Sequence, residues 1–426
     1  MNNNGGGPGE QAAVTSPTGL SFIVGFFFSF RLFIMLLAVR LLGTNDQTGV
    51  EISLVLNFML LGLVAFQSIG AIAHKDTHML SLPSVRWVAI FVCFSGCSLL
   101  WSVTASLPAA IVYWCAMTAD VATVILLLRT KRLPEVAAAL MEGFVWGACA
   151  VAIIAWMLPA QSDLRLGDEE LLGPNQIGYL CAFSLFFVQY LMRVKKGGWR
   201  LPGFILSVTL LRSLSKTSIL AFLIAESFLL MRDKSISRRT KVMLILSAAV
   251  TALAFASLLT SYFDLYASSG NSSETLTGRI GIWAFILNEA AQSPWIGHGF
   301  HSVWKVIPPF GEFEARHAHN ELIQQFYSYG VFGVCMMVGL YGSFFRQIRK
   351  RASGSLKTLY YAMLLFVLVR GLTDTEAFDF SLPLWAIVMF SFLMNKAYVM
   401  SRRTEGHLDG ETVSLPRHGD TAPVAL

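Results

Sequence analysis

Polar and apolar positions in this chain alternate in long blocks rather than by helix turn or strand. Apolar runs fall near 20–42, 51–73, 86–104, 107–128, 136–158, 175–193, 200–212, 214–232, 242–262, 321–345, 358–372 and 380–400. A helix needs about 20 apolar residues to cross a bilayer core, and in lipid it satisfies its own backbone groups. The pattern therefore predicts an all-α, polytopic integral membrane protein of about twelve transmembrane helices. The least typical runs are the pair broken at Arg212 to Lys216 and the short run at 358–372.

The polar connections give the chain an orientation. Lys and Arg collect at Arg129/Lys131/Arg132, Arg193/Lys195/Lys196/Arg200, Arg232/Lys234/Arg238/Arg239/Lys241, Arg346/Arg349/Lys350/Arg351/Lys357, and Arg402/Arg403 after Lys396. They occupy alternate connections, which the positive-inside rule assigns to the cytoplasm. The opposite loops, 162–175, 263–320 and 371–380, are acidic or mixed and face outward. Both termini are then cytoplasmic, with 1–18 and 401–426 as disordered tails around a membrane domain at 19–400.

Composition narrows this further. The chain is 55% hydrophobic and only 14% charged, so no separate soluble domain is needed beside the spans. The net charge of +6 is explained by where the charges sit relative to the membrane, and nucleic acid is not an expected partner. All six cysteines lie inside apolar runs, as small core residues rather than a disulfide framework.

One stretch breaks the apolar rule. Gly278 to Asn320, inside a large outer loop at 263–320, carries Arg279 and four of the eight histidines: His298, His301, His317 and His319. Its first part has Ile282, Phe285, Ile286 and Glu289 at helical spacing, predicting a short amphipathic helix at the interface. Pro294, Gly297 and Gly299 then turn the chain, and Asn320 is placed to cap the returning span. His298 and His301 are expected to be solvated. The HAHN tetrad, between Arg316 and Glu321, is a denser cluster, and a histidine titrating near neutrality suits general-base work. A metal held by the four histidines is disfavoured: Glu312 and Glu314 are not at ligand spacing and no HExxH is present. Neither a metal nor another cofactor is expected.

Cations on the outer side run against the usual bias and need a reason. Arg212 and Arg370 either snorkel to lipid phosphates or join a ligand site. Lys216 stands among Ser213, Ser215, Thr217 and Ser218, a hydroxyl-rich setting that suggests a polar cavity for an anionic group such as a diphosphate. Arg31, inside the first run, is better explained by pairing with an acidic residue or backbone carbonyls.

These residues resemble a known family. Gly278, Arg279 and Trp283, then SPWIGHGF at 293–300, then AHNELIQQFYSYGVFG at 318–333 are similar to the signature block of the Wzy/O-antigen ligase superfamily of bacterial membrane glycosyltransferases. LWSVTASLP at 100–108, GPNQIGYL at 173–180 and SLSKTS at 213–218 are similar to further family segments. Lys216 departs from the pattern, since many relatives carry arginine there, which loses the bidentate fork. Within the superfamily the chain is most similar to ExoQ-type exopolysaccharide polymerases.

The resemblance implies a metal-independent enzyme of the bacterial inner membrane with its active site facing the periplasm. Its donor would be an undecaprenyl-diphosphate-linked oligosaccharide, its acceptor a glycan hydroxyl, and a chain-length regulator protein a possible partner. Arg279 and Lys216, with Arg212 and Arg370, would bind the diphosphate. His319 would serve the acceptor hydroxyl, with His317 and Asn320 beside it at the substrate. An O-antigen ligase acting on lipid A-core uses the same chemistry and stays open as an alternative. A transporter or flippase is a second alternative, against which stands the lack of echoing halves. No GxxxxGK[ST] is present, as expected for a donor already activated by its diphosphate.

Overall fold

The computed structural model describes residues 17–43, 46–69, 81–130, 132–158, 165–167, 172–195, 197–234, 237–254, 260–261, 264, 276–303, 317–375 and 381–411. Lys131, Lys196, Glu312, Glu314, Arg316, 376–380, parts of 162–175 and 263–275, and the tails 1–16 and 412–426 lie outside these residues.

Among the described residues the elements are helices, with no strand. They are α1 (Pro17–Leu42), α2 (Asp46–Ile69), α3 (Pro83–Cys97), α4 (Leu107–Leu128), α5 (Leu133–Met157), α6 (Pro174–Val194), α7 (Arg200–Arg212), α8 (Lys216–Arg232), α9 (Arg238–Ala254), α10 (Leu276–Ala290), α11 (Glu321–Arg351), α12 (Gly354–Gly371) and α13 (Ser381–Glu411). Every apolar run is met by a helix. Eight of these, α1 to α6, α11 and α13, are long and apolar enough to cross a membrane, so the chain is a multi-pass membrane protein. The other four runs form α7, α8, α9 and α12, of 13, 17, 17 and 18 residues. The last helix continues through Glu411, so 401–411, expected as tail, is helical.

Local sequence sets the boundaries. Proline stands in the first turn of α3, α4, α5 and α6, where its missing N–H costs nothing. Ser106 caps α4 by accepting from Ala109 N. The run from 200 to 232 breaks into α7 and α8 because Leu214 takes a left-handed φ of 54°.

The centre is aromatic. Trp385 of α13 is fully buried among Phe28, Phe144 and Phe187, at ring separations of 5.5, 5.6 and 5.8 Å. Beside it α1 and α5 lie backbone to backbone: a Cβ on Gly25 would overlap the Leu140 carbonyl, and one on Gly143 the Phe22 carbonyl. Small residues permit such contact between helices in lipid. Arg31 is paired as expected, donating to Asp120 Oδ2 at 2.6 Å and Ser381 Oγ at 3.0 Å, while Asn57 donates to Asp120 Oδ1 at 2.9 Å. The six cysteines are free; Cys149 and Cys181 are buried, but Cys93, Cys97 and Cys335 sit on exposed faces of α3 and α11 rather than in the core.

Candidate active site

The site is built where helix ends far apart in sequence meet. On α10, Arg279, Ile282, Ile286 and Ala290 recur every three or four residues and form its buried face. The three apolar members pack on Val303, Ala318 and Tyr327, and Trp283 Nε1 donates to Ala318 O at 2.8 Å. This fixes the HAHN tetrad against α10. Arg279, 6% exposed, donates through Nη1 to the Thr373 carbonyl. Asn320 is the N-cap of α11, its Oδ1 accepting from Ile323 N at 3.1 Å, while its Nδ2 donates to Leu372 O at 2.8 Å. One side chain thereby ties the start of α11 to the end of α12. His319 precedes it with φ of 50°, a backbone form uncommon outside glycine and often found at functional sites.

Asp374 is the hub. Its Oδ1 faces His319 Nδ1 at 3.3 Å and accepts from Thr375 N at 3.0 Å. Its Oδ2 accepts from Arg370 Nη2 at 3.2 Å and from Thr217 Oγ1 at 3.4 Å. The Arg370 guanidinium, also 6% exposed, lies 3.9 Å from the ring centre of Tyr179 on α6. Burial alone would raise the Asp374 carboxyl, but the Arg370 charge and then the hydrogen bond from His319 outweigh it and hold the group well below the usual carboxylate range. Asp374 is therefore ionised, and His319 Nδ1 is the donor toward it. His317, with its ring 4.1 Å from that of His319, is held well below the ordinary histidine value, first by burial and then by the charges of His319, Arg370 and Arg279, with Asp374 offsetting in part. It stays neutral.

The structure thus brings Arg279, His317, His319, Asn320 and Arg370 together. Lys216 and Arg212 flank the α7–α8 turn, both half-buried, and from this turn it is Thr217 that reaches Asp374. The turn is seated on α6: Ser215 Oγ donates to Asn175 Oδ1 at 2.9 Å, Arg165 Nη2 donates to the same oxygen at 3.1 Å, and a Cβ on Gly178 would strike Ser215. Arg279 Nε and Thr375 Oγ1, buried donors beside the hub, have no hydrogen-bond partner among the described residues.

His301 is not solvated, a correction to the sequence expectation, and His298 is half-buried. His301 is buried, its Nδ1 3.0 Å from Thr104 Oγ1 and its ring stacked 5.3 Å from Tyr113. His298 stacks on Tyr327 at 4.4 Å. They belong to the packing of 293–303 on the loop after α3, where Val103 N donates to His298 O at 2.9 Å and Ser102 Oγ to Phe300 O at 2.6 Å. The four loop histidines therefore do not converge. A different set, His317, His319 and Asp374, has ligand-type atoms within 4.8 Å of one another. The Arg279 and Arg370 guanidiniums beside it repel a metal cation and favour an anion.

Sequence reasoning missed Asp374 and Tyr179, and named Thr217 only as one hydroxyl of the SLSKTS turn. The signal for Asp374 was present: it stands four residues after Arg370, one of the cations that needed a counter-charge.

Residues 201–338, from α7 to the middle of α11, match the Wzy_C family model, described as O-Antigen ligase. The chain is similar to the "Exopolysaccharide production protein ExoQ" of Rhizobium meliloti (strain 1021), 24% identical over 300 residues that cover 63% of this chain and 67% of that protein. It is also similar to an "O-antigen ligase" of Pseudomonas aeruginosa, 26% identical over 139 residues, 32% of this chain and 34% of that protein.

Proposed function

We propose that the chain is a polysaccharide polymerase that transfers glycan repeat units from an undecaprenyl-diphosphate-linked donor to an acceptor glycan hydroxyl at the periplasmic face of the bacterial inner membrane. One observation carries the reading: a histidine held by an ionised aspartate, between two buried guanidiniums, at helix ends opposite the basic connections. The acceptor oxygen attacks the anomeric carbon, the bond from that carbon to the diphosphate oxygen breaks, and the lipid diphosphate departs with the electron pair. Arg279 and Arg370 meet the charge that builds on it, in a place where fixed donors act strongly. Lys216 and Arg212 at the neighbouring turn extend the cationic surface, and Arg279 Nε and Thr375 Oγ1 are donors left for substrate oxygens. His319, with Nδ1–H directed at Asp374, takes the acceptor proton on Nε2. Neutral His317 and Asn320 line the same position. Fixed cations make a metal unnecessary, and a chain-length regulator would act from outside this cluster.

The match to an O-antigen ligase supports a second acceptor, lipid A-core, for the same chemistry. Deleting the gene separates the readings. Accumulated single lipid-linked repeat units support a polymerase, undecorated lipid A-core beside intact polymer supports a ligase, and glycan stranded at the cytoplasmic face overturns both in favour of a flippase.

A further inference from the structure

The segment 293–303 does more than link α10 to the HAHN tetrad. Helix α11 is broken at Gly330, whose φ is 63°, and the groups exposed by the break are taken up by this segment. Val331 N donates to Pro294 O at 2.8 Å and Phe332 N to Trp295 O at 3.3 Å. In return His298 N donates to Tyr327 O at 2.9 Å and Gly299 N to Ser328 O at 2.8 Å. The fit leaves no room for side chains: a Cβ on Gly330 would overlap Trp295 backbone, and one on Gly297 would overlap the Ser328–Tyr329 peptide. Phe300 N also donates to Ser98 Oγ at 3.0 Å.

Its partners belong to membrane-crossing elements. Ser98 lies in the candidate span Pro83–Leu100 and Tyr327 to Phe332 in Glu321–Arg351. Gly330 is nine residues into the candidate span Glu321–Arg351, about 14 Å along it from its start at the helical rise. Non-helical backbone at that depth is tolerated only where protein satisfies its polar groups, and the paired bonds do so. The outward side chains of the segment are apolar: Trp295 is 66% exposed and Ile296 is exposed, and Val331, Phe332 and Val103, exposed as well, are hydrogen-bonded to the segment through their backbones. This surface continues the exposed apolar face of α11, which runs on through Val338.

We infer that 293–299 is a hairpin immersed in the leaflet on the side of the candidate site, with Trp295 and Ile296 against lipid acyl chains, and that the lipid is the partner this surface fits. The hairpin follows α10 directly, so membrane depth sets the position of the helix that carries Arg279. The inference stands apart from the proposed reaction.

The test uses the full-length protein in vesicles of phosphatidylethanolamine and phosphatidylglycerol, with a benzoylphenylalanine photo-cross-linker placed singly at 295 or 296. Exposed Val338 on α11 serves as the lipid control and exposed Gln292 as the aqueous control. Phospholipid adducts measured by intact mass should form at 295 and 296 at yields within about threefold of the Val338 site, and at least tenfold above the Gln292 site. Yields equal to the Gln292 site overturn the inference. A second measurement needs no cross-linker. The emission lost on Trp295→Phe should be quenched by phospholipids brominated on their acyl chains and spared by aqueous iodide; the reverse pattern also overturns it.

Discussion

Asp374→Asn separates positioning from stability most directly. The carboxylate faces Arg370 at 3.2 Å, and at an effective dielectric of about 20 the gross attraction is about 5 kcal/mol. Removing one partner of such a buried pair costs about 3–5 kcal/mol, because the guanidinium is left uncompensated. The amide conserves shape, but its single carbonyl oxygen can accept at only one of the two positions, from Thr375 N or from Thr217 Oγ1. What it loses is the ionic acceptor for His319 Nδ1–H at 3.3 Å. A hydrogen bond to a charged group contributes about 1.5–3 kcal/mol, and at about 1.4 kcal/mol per factor of ten that predicts a fall in kcat of about 10- to 160-fold. The assay follows glycan transfer from a lipid-diphosphate oligosaccharide by purified protein, with unfolding followed in parallel. Adding Arg370→Gln removes the orphaned cation, so the double variant should regain Tm while kcat stays low. A folded Asp374→Asn variant with kcat within twofold of wild type would refute the role of Asp374 behind His319.

Further outcomes follow from the same geometry. Arg279→Ala should abolish polymer while the protein remains in the membrane, and wild-type polymer length in that strain would sink the diphosphate-binding role. His319→Ala should lose most activity, about 10²–10⁴-fold if it is the general base, and His298→Ala much less; equal losses would mean that the two act together. Transfer by purified protein should survive a strong chelator, and loss restored by one added metal would reverse the metal-free reading. Burial pulls His301 from its ordinary 6.5 down to about 4, so the unfolded chain binds more protons between those values. Stability should fall as pH drops through that window and be unaffected by His301 above it; a Tm difference between wild type and His301→Asn that does not change from pH 7 to pH 4.5 would contradict this.

Much of the architecture was legible because membrane spans are written in residue type alone. The amphipathic helix around Ile282 and Ile286 and the cap at Asn320 were legible for the same reason: each is a local pattern with one physical cause. Arg279 and His319 stood out as charge and titratable groups in an apolar setting. Asp374 did not, because an acid in an acidic loop looks solvated until α12 is seen to end beside His319. The SLSKTS turn was placed correctly as polar, but which of its side chains faces inward depends on the left-handed Leu214 and on Gly178, neither of which has a periodic signature. His301 was misread since burial by a partner loop two hundred residues away leaves no local trace.

The Arg31 pairing has a consequence for how the protein is made. Its arginine enters the membrane with the first helix, its aspartate is translated 89 residues later, and the serine that completes the contact comes 350 residues later, at the head of the last helix. Arg279 likewise waits 94 residues for Thr373. During synthesis each cation must be sheltered by the insertion machinery or by lipid headgroups before its permanent neighbour exists. Truncations that omit α13 should therefore be substrates for membrane proteolysis even though every earlier span is present, and the candidate site can form only once nearly the whole chain has been inserted.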